Sequence, residues 1–391
     1  MTKLIPIFIV ILSISSCQNK TKENVINSGD KEFSLDLSAI SKKMIELADL
    51  HPKEKVLLVM APGHFDEIVG ELKAEIVSKN AQYLGTISVS EAQPDDWSTP
   101  FTREGKGKND TQLAQVFKDV DLGIMLPGAG PMHQPYKVLQ GMLEESNKRT
   151  IHFHWAGAYD LNGNLLTTDA DKSEFYQNVI LNTDYKKLGQ AQKTFEDAMR
   201  NSTVRVTTKA GTDINFEIGD RPVTKQDGDA SAKRAAQGLN LIDKEIEIPS
   251  GAIRVAPIEE SVNGTIAFPD ADWAGEKVKG LIVTIKAGKI VNIEAKEGKD
   301  AVLQEMEKAG EAGKYFREFA LGFNPMMPIQ EAVIPWIPYY GYGAGVVRLS
   351  LGDNTELGGV VSGGYVRWNF FPDATVMVGD EIWVENGILL K

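Results

Sequence analysis

The chain has 391 residues and a formal net charge of −12, with 42% hydrophobic and 25% charged residues. This length is sufficient for two domains with separate cores, and the composition is that of an ordinary globular protein. The negative charge argues against nucleic acid as a partner, because binding to phosphates requires a basic surface.

The first residues predict an export signal. Lys3 precedes the apolar run LIPIFIVILSIS, which is shorter than a membrane span and typical of a secretory signal peptide. The run leads into ISSC, which resembles a bacterial lipobox and ends at Cys17, the only cysteine of the sequence. We expect residues 1–16 to be a lipoprotein signal peptide and a lipid on Cys17 to anchor the exported chain to a membrane of the bacterial cell envelope. The alternative is an ordinary cleaved signal followed by an incidental cysteine.

Residues 17–38 are polar and aperiodic, which predicts a lipidated tether. Continuous apolar runs then alternate with helical patterns. The predicted strands are KVLLVMA (55–61), AQYLGTISV (81–89), DLGIMLPG (121–128) and RTIHFHWAG (149–157). Strands separated by helices and short Gly/Pro loops indicate a parallel sheet covered on both faces. We therefore predict an α/β N-terminal domain with a doubly wound parallel sheet over residues 39–185.

Four of the five histidines lie near the predicted carboxyl ends of these strands, where ligands bind in such sheets. His64 follows the first strand and His133 follows the third. His152 and His154 lie on the fourth strand, where their spacing of two places them on one face. Imidazoles at this edge can shuttle protons or coordinate a metal. The alternative is that His152 and His154 are buried and hydrogen-bonded, with the other two in loops.

From residue 186 onwards the pattern changes. TVRVTTKAGTDINFEIGD and GLIVTIKAGKIVNIEA each predict two strands joined at a glycine, and DAVLQEMEKAGEAGKY predicts a helix. Many strands with few helices indicate a β-rich α+β domain over residues 186–391.

Four segments of this second part have residue patterns that occur in the same order in a known family. They are IPSGAIRVAPIEESVNGTI (248–266), KYFREFALGFNP (314–325), GVVRLSLGDN (345–354) and VRWNFFPDATVMVGDEIWVENG (366–387). They resemble the successive blocks of the aminopeptidase T-like family, also called thermophilic metalloaminopeptidases, whose scaffold is shared by an iron-dependent dihydroxypyridine dioxygenase branch. The resemblance implies an aminopeptidase-like second domain with its site in the cleft between domains. It also allows a homodimer, although no segment indicates a dimer face.

The resemblance implies a metal site, but only one of the ligand positions that can be matched keeps its residue type. Glu318 stands at the glutamate of the second block. The other ligand positions that can be matched carry Ala252, Arg348, Arg367 and Asn369, and Thr355 lies near the place of the family's third-block tyrosine. An arginine cannot ligate a divalent cation, because it has only donors and stays charged. We therefore expect neither a metal nor another cofactor.

Arginines near one carboxylate instead form an anion-binding site, with Glu318 as counter-charge or base. The pKa of Glu318 should then fall, which weakens it as a base near neutral pH. The candidate catalytic residues are Glu318, Arg348, Arg367, Asn369, His152 and His154, and the candidate substrate-binding residues are Arg348, Arg367, Trp368 and His133. The alternative is that Glu318 and Arg348 form a buried ion pair that replaces the metal structurally.

Three functions remain open at this stage. The first is a metal-independent or degenerate hydrolase of aminopeptidase ancestry that acts on a small anionic or peptide-like substrate. The second is a non-catalytic lipoprotein that binds a small carboxylate or a peptide terminus, a task that suits bidentate arginines. The third is a metalloaminopeptidase with unusual ligands.

Overall fold

The computed structural model describes residues 33–63, 65–144, 147–155, 157–237 and 240–391. The predicted signal peptide, Cys17, most of the tether and His64 lie outside these residues. The described chain has a mixed α/β fold with one parallel sheet and several antiparallel sheets. None of its helices in these ranges is both long and apolar enough to cross a membrane.

The parallel sheet has five strands. In spatial order they are Glu245–Ile248, Arg149–Phe153, Leu122–Met125, Lys55–Met60 and Gln82–Ser88. Four of them are the strands predicted from apolar runs. The fifth, Glu245–Ile248, comes from the segment assigned to the second domain and pairs in parallel with Arg149–Phe153, so that Glu247 lies beside His152.

Side chains on both faces of this sheet are buried. Leu57 and Val59 pack in one apolar cluster with Phe117, whereas Val56 and Leu58 pack in another cluster on the opposite face. This alternation follows from the two-residue period of a strand. The helices of the described residues are Leu37–Leu47, Glu67–Ser78, Pro100–Gly105, Asp110–Phe117, Gln134–Gly141, Ala170–Asn182, Tyr185–Met199, Ala232–Ala235, Leu241–Lys244 and Lys299–Ala309.

The remaining large sheets are antiparallel. An eight-stranded sheet contains, in spatial order, Lys289–Glu294, Ile282–Lys286, Asn263–Ala267, Asp213–Phe216, Val204–Thr207, Thr375–Val378, Glu381–Glu385 and Ile388–Leu389. A five-stranded sheet contains Val366–Phe371, Val347–Gly352, Phe316–Gly322, Ala252–Val255 and Thr224–Lys225. Smaller sheets are formed by Ala271–Trp273 with Glu276–Val278, and by Trp336–Pro338, Ala158–Asp160 and Leu165–Leu166.

The five-stranded sheet has two faces of different character. One face packs on the eight-stranded sheet, where Phe319 and Leu349 join Val206 and Ile266 in a single apolar core. The opposite face presents polar side chains of the same strands to a cleft that the parallel sheet closes from the other side. The candidate site lies in this cleft.

Candidate functional site

The cleft has a volume of about 340 Å³ and is lined by both parts of the fold. The five-stranded sheet contributes Arg254, Arg317 and Arg348, and we call these three arginines with the carboxylates that they bind the arginine wall. The same sheet contributes Glu318 and Trp368 to the cleft. The parallel sheet contributes Glu245 and Glu247, which we call the carboxylate wall, together with His152 and His154. The structure therefore brings together five of the residues predicted from the sequence: Glu318, Arg348, Trp368, His152 and His154.

Glu318 is the centre of the arginine wall, and its side chain is 1% exposed. Arg348 donates to Oε1 from Nη2 and Nε at 2.8 and 3.1 Å, and Arg254 donates to Oε2 from Nη2 and Nε at 2.9 and 3.3 Å. Burial alone would raise the pKa of Glu318, but the guanidiniums of Arg254, Arg348 and Arg317 outweigh it and hold the pKa well below its usual range. The carboxylate is ionised, with both oxygens engaged, which makes it a poor general base at neutral pH.

Arg317 directly precedes Glu318, yet both residues line the cleft. Adjacent residues of a regular strand point to opposite faces, and the register shift between Phe316 and Glu318 relaxes this constraint. Arg317 donates to the carboxylate of Glu356, which also accepts from Arg254 Nη2 at 3.0 Å. The arginine wall thus pairs three guanidiniums with two carboxylates, Glu318 and Glu356, and Glu247 across the cleft lies within electrostatic range of Arg254.

Arg254 and Arg317 were not predicted from the sequence as residues of the site. Both lie inside the blocks that carry the family resemblance, and Arg254 lies two residues after Ala252 on the same strand. That spacing places Arg254 on the strand face of the lost ligand position, which is a signal that could have identified it. The bulge that brings Arg317 to the cleft has no comparable signal in the sequence.

Aromatic rings cover the rest of the arginine wall. The guanidinium of Arg348 lies 5.7 Å from the ring centroid of Trp368 and 6.0 Å from that of Tyr342. Its Nη1 donates to the carbonyl oxygen of Tyr340 at 3.2 Å. Tyr340, Tyr342 and Trp368 all line the cleft, so a bound molecule would meet ring faces as well as charges.

The two glutamates of the carboxylate wall have different environments. Glu245 is 6% exposed and accepts hydrogen bonds from the hydroxyl of Tyr136 and from Gln140 Nε2, and its burial raises its pKa. Glu247 accepts from the hydroxyl of Tyr342 through Oε2. Its Oε1 has no hydrogen-bond partner among the described residues. Glu247 is therefore the carboxylate that can still accept hydrogen bonds from a ligand.

The two histidines stack against each other, with ring centroids 3.4 Å apart. Burial lowers the pKa of each to about 3, so both imidazoles are neutral at pH 7. His152 Nδ1 lies 2.9 Å from the hydroxyl oxygen of Tyr136. The imidazole of His154 has no hydrogen-bond partner in the part of the chain that the structure describes. His152 thus matches the alternative of a satisfied buried histidine, whereas His154 presents free ring nitrogens.

Arg367 and Asn369 lie away from the cleft, contrary to the sequence-based expectation. Arg367 donates to Glu305 and stacks over the ring of Trp273, with its guanidinium 3.5 Å from the centroid. Asn369 is 4% exposed and pairs with Leu349, which faces the apolar core. The physical reason is strand alternation, because an offset of one residue exchanges the two faces. On this strand the cleft side belongs to Trp368.

His133 is also separate from the site. It precedes the helix Gln134–Gly141, accepts a hydrogen bond from the backbone N–H of Gly130 through Nδ1 at 3.1 Å, and lines a different cavity of about 590 Å³. Its predicted substrate-binding role therefore does not belong to this cleft. Pro131 of the same loop and Tyr136 of the helix that follows line the cleft, whereas His133 lines the other cavity.

The donor set of the cleft does not fit the metal that the resemblance implies. Ala252 supplies no donor atom, Arg348 supplies only N–H groups, and both oxygens of Glu318 are held by guanidiniums. Across the described residues, no group of three or more His, Cys, Asp or Glu side chains is arranged to hold a metal ion.

The chain is similar to known proteins in part of its sequence and in its fold. Residues 181–336 match the family described as thermophilic metalloprotease (M29). The fold is similar to 2,5-dihydroxypyridine dioxygenase from Pseudomonas putida KT2440, with a TM-score of 0.61 and 14% identity over 90% of this chain and 96% of that one. It is also similar to wild-type AmpT from Thermus thermophilus, with a TM-score of 0.59 and 14% identity over 91% and 99%. No curated protein matches the sequence.

The family match includes the first two blocks of the resemblance and ends before the third and fourth, which contain Arg348 and Trp368. At 14% identity, the two structural likenesses show the shared fold. The resemblance predicted from the sequence blocks is confirmed: residues 181–336 match the thermophilic metalloprotease (M29) family, in a chain that has the fold of AmpT and of the dioxygenase.

Proposed function

We propose that this protein of aminopeptidase ancestry binds a small anionic ligand, a carboxylate or a peptide terminus, without a metal. The observation that carries the proposal is the arginine wall, whose three guanidiniums form ion pairs with only two carboxylates. Arg254 Nη1 has no acceptor among the described residues, and its side chain lines the cleft. A ligand carboxylate can accept hydrogen bonds from these free donors.

The same geometry favours binding over hydrolysis. A general base must have a free lone pair and a pKa near the working pH. Glu318 lacks both, because guanidiniums occupy its oxygens and lower its pKa. The pKa values of His152 and His154, about 3 each, are also far below neutrality.

The test is thermal unfolding of the purified protein with a panel of small carboxylates, with and without a chelator. Binding to the folded state raises the melting temperature, and chelation should not change the effect. Arg254→Gln should weaken binding about tenfold or more, the amount expected for hydrogen bonds to a charged group. Arg205→Gln, which breaks an exposed pair with Asp213, is the matched control and should bind normally. If no carboxylate stabilises the protein, or if both variants behave alike, the proposal fails.

One observation keeps hydrolysis as a second candidate. His154 presents an unpaired imidazole to the cleft, and a neutral imidazole can accept a proton from water or from a nucleophile. Turnover of aminoacyl substrates that survives chelation and is lost in His154→Gln would establish this function. Ligand binding without turnover would leave the binding function alone.

We also propose that the protein is an exported lipoprotein of the cell envelope, with a tether that runs from the lipid on Cys17 to the folded body, whose first helix begins at Leu37. The support is the apolar run that leads into ISSC in the sequence. Cys17→Ala should abolish lipid attachment and move the protein from the detergent phase to the aqueous phase on detergent partitioning. Unchanged partitioning would rule out this anchor.

A further inference from the structure

The arginine wall and the carboxylate wall face the same small cleft. Glu247 offers a free Oε1 on one side, and Arg254 offers a free Nη1 on the other. A ligand carrying only negative charge would satisfy the arginine wall but would meet repulsion from Glu247. A ligand carrying only positive charge would be attracted by Glu247 but repelled by the guanidiniums of the arginine wall. Only a molecule with both charges is complementary to both walls.

The aromatic lining is consistent with such a molecule. Tyr340 and Tyr342 lie in the cleft beside Glu247, whose carboxylate accepts a hydrogen bond from the Tyr342 hydroxyl. Ring faces attract an ammonium group, and the attraction grows where water is excluded. An ammonium group beside Glu247 would therefore gain both a carboxylate partner and ring contacts.

The size of the cleft limits the ligand. A volume of about 340 Å³ lies at the small end of the usual range for ligand pockets, about 300 to 1,000 Å³. This is space for an amino acid or a very short peptide. It is too small for an extended polypeptide to enter with its side chains.

We propose that the ligand is a small zwitterion, with its carboxylate bound by Arg254 and its ammonium group bound by Glu247. The inference rests on the proposed function, since it assigns the ammonium group of a ligand whose carboxylate is bound by the arginine wall. A free α-amino acid and a short peptide share this chemistry, and the experiment distinguishes them.

The experiment measures thermal stabilisation and calorimetric binding of the full purified chain. The probes are the common α-amino acids, a set of dipeptides, and the deaminated carboxylate counterpart of each. A zwitterion should bind at least about tenfold more tightly than its deaminated counterpart. Tighter binding by the amino acids or by the dipeptides identifies the source. This comparison needs no variant, so it does not depend on the folding of a mutant.

Glu247→Gln then tests the residue. The amide oxygen can still accept the hydrogen bond from Tyr342, but the negative charge is lost. The zwitterion should therefore no longer bind more tightly than its deaminated counterpart. The affinity for the deaminated carboxylate should not fall. Glu311→Gln, at an exposed glutamate, is the control and should change neither affinity. If deaminated carboxylates bind as tightly as zwitterions, the inference is overturned and the proposed function stands. If neither class binds, the proposed function itself has failed.

Discussion

The carboxylate of Glu318 is the buried negative charge that offsets the guanidiniums of the arginine wall. It is the sole carboxylate of the arginine wall that is almost completely buried in the described chain, because Glu356 keeps 42% of its side chain exposed. Three guanidiniums in a poorly solvated place repel one another unless a fixed negative charge lies between them. Its burial and its partners therefore give Glu318 a structural role that does not depend on any ligand.

Glu318→Gln should lower the free energy of unfolding by about 3 kcal/mol or more, since removing one partner of a buried pair leaves uncompensated charge. Urea unfolding measures this loss. Asp213→Asn removes an exposed partner, 49% accessible, and should cost less than about 1 kcal/mol. The folded Glu318→Gln protein should bind small carboxylates more tightly, because the competing carboxylate charge is gone. Equal losses in the two variants would contradict the central role of Glu318.

At the scale of elements, the sequence predicts what depends on local pattern. Apolar runs located four strands of the parallel sheet, and the spacing of His152 and His154 correctly put both rings on one face. The fifth strand, Glu245–Ile248, was missed because the segment KEIEI alternates charged and apolar residues and has no continuous apolar run. Its glutamates are unfavourable for a buried parallel strand, and they form the carboxylate wall of the cleft.

The register of the strands could not be predicted from the sequence. The blocks identified the strand Val366–Phe371 as part of the site, but choosing its cleft-facing side required an alignment exact to one residue. The structure selects Trp368 and turns Arg367 towards Glu305. The bulge before Glu318 is a second case, since it depends on pairing with a distant strand.

The register of the strand Val366–Phe371 predicts the effect of substituting Arg367. Arg367→Gln should leave carboxylate binding unchanged and lower the free energy of unfolding by about 1 kcal/mol, through loss of the partly buried pair with Glu305 and of the contact with Trp273. Arg348→Gln is the comparison, because it lies on the neighbouring strand and faces the cleft, and it should impair binding. Calorimetric titration of both variants separates them. Loss of binding in Arg367→Gln would mean that this strand presents its other face.

At the scale of the whole molecule, the cleft exists only because two sheets with different strand arrangements meet. The five-stranded antiparallel sheet supplies the guanidiniums, and the parallel sheet supplies carboxylates from its edge strand Glu245–Ile248 and imidazoles from the neighbouring strand and the residue after it. Closing this interface buries His152 and partly buries His154, so the junction couples folding to proton binding.

The coupling has a definite sign. Burial lowers the pKa of His152 and His154 to about 3, whereas an unfolded histidine titrates near its ordinary value of about 6.5. Between these values the unfolded chain binds more protons than the folded chain, so each histidine makes the free energy of unfolding fall as pH is lowered from about 6.5. The slope is about 1.4 kcal/mol per pH unit for each histidine. Glu245 acts in the opposite direction, because its pKa is raised in the folded protein.

Since several groups contribute, the difference between variants is the informative quantity. Gln at position 154 cannot titrate, so in His154→Gln the free energy of unfolding should depend less steeply on pH between pH 6.5 and 5, with a difference in slope that grows to about 1.4 kcal/mol per pH unit near pH 5. His51→Gln is the matched control, because the side chain of His51 is 62% exposed, and its pH profile should be unchanged. Urea titrations at several pH values in this range measure all three slopes. Parallel profiles for His154→Gln and the unmodified protein would mean that the pKa of His154 is not lowered in the folded state, and the desolvation of its imidazole at the junction between the two sheets would then be wrong.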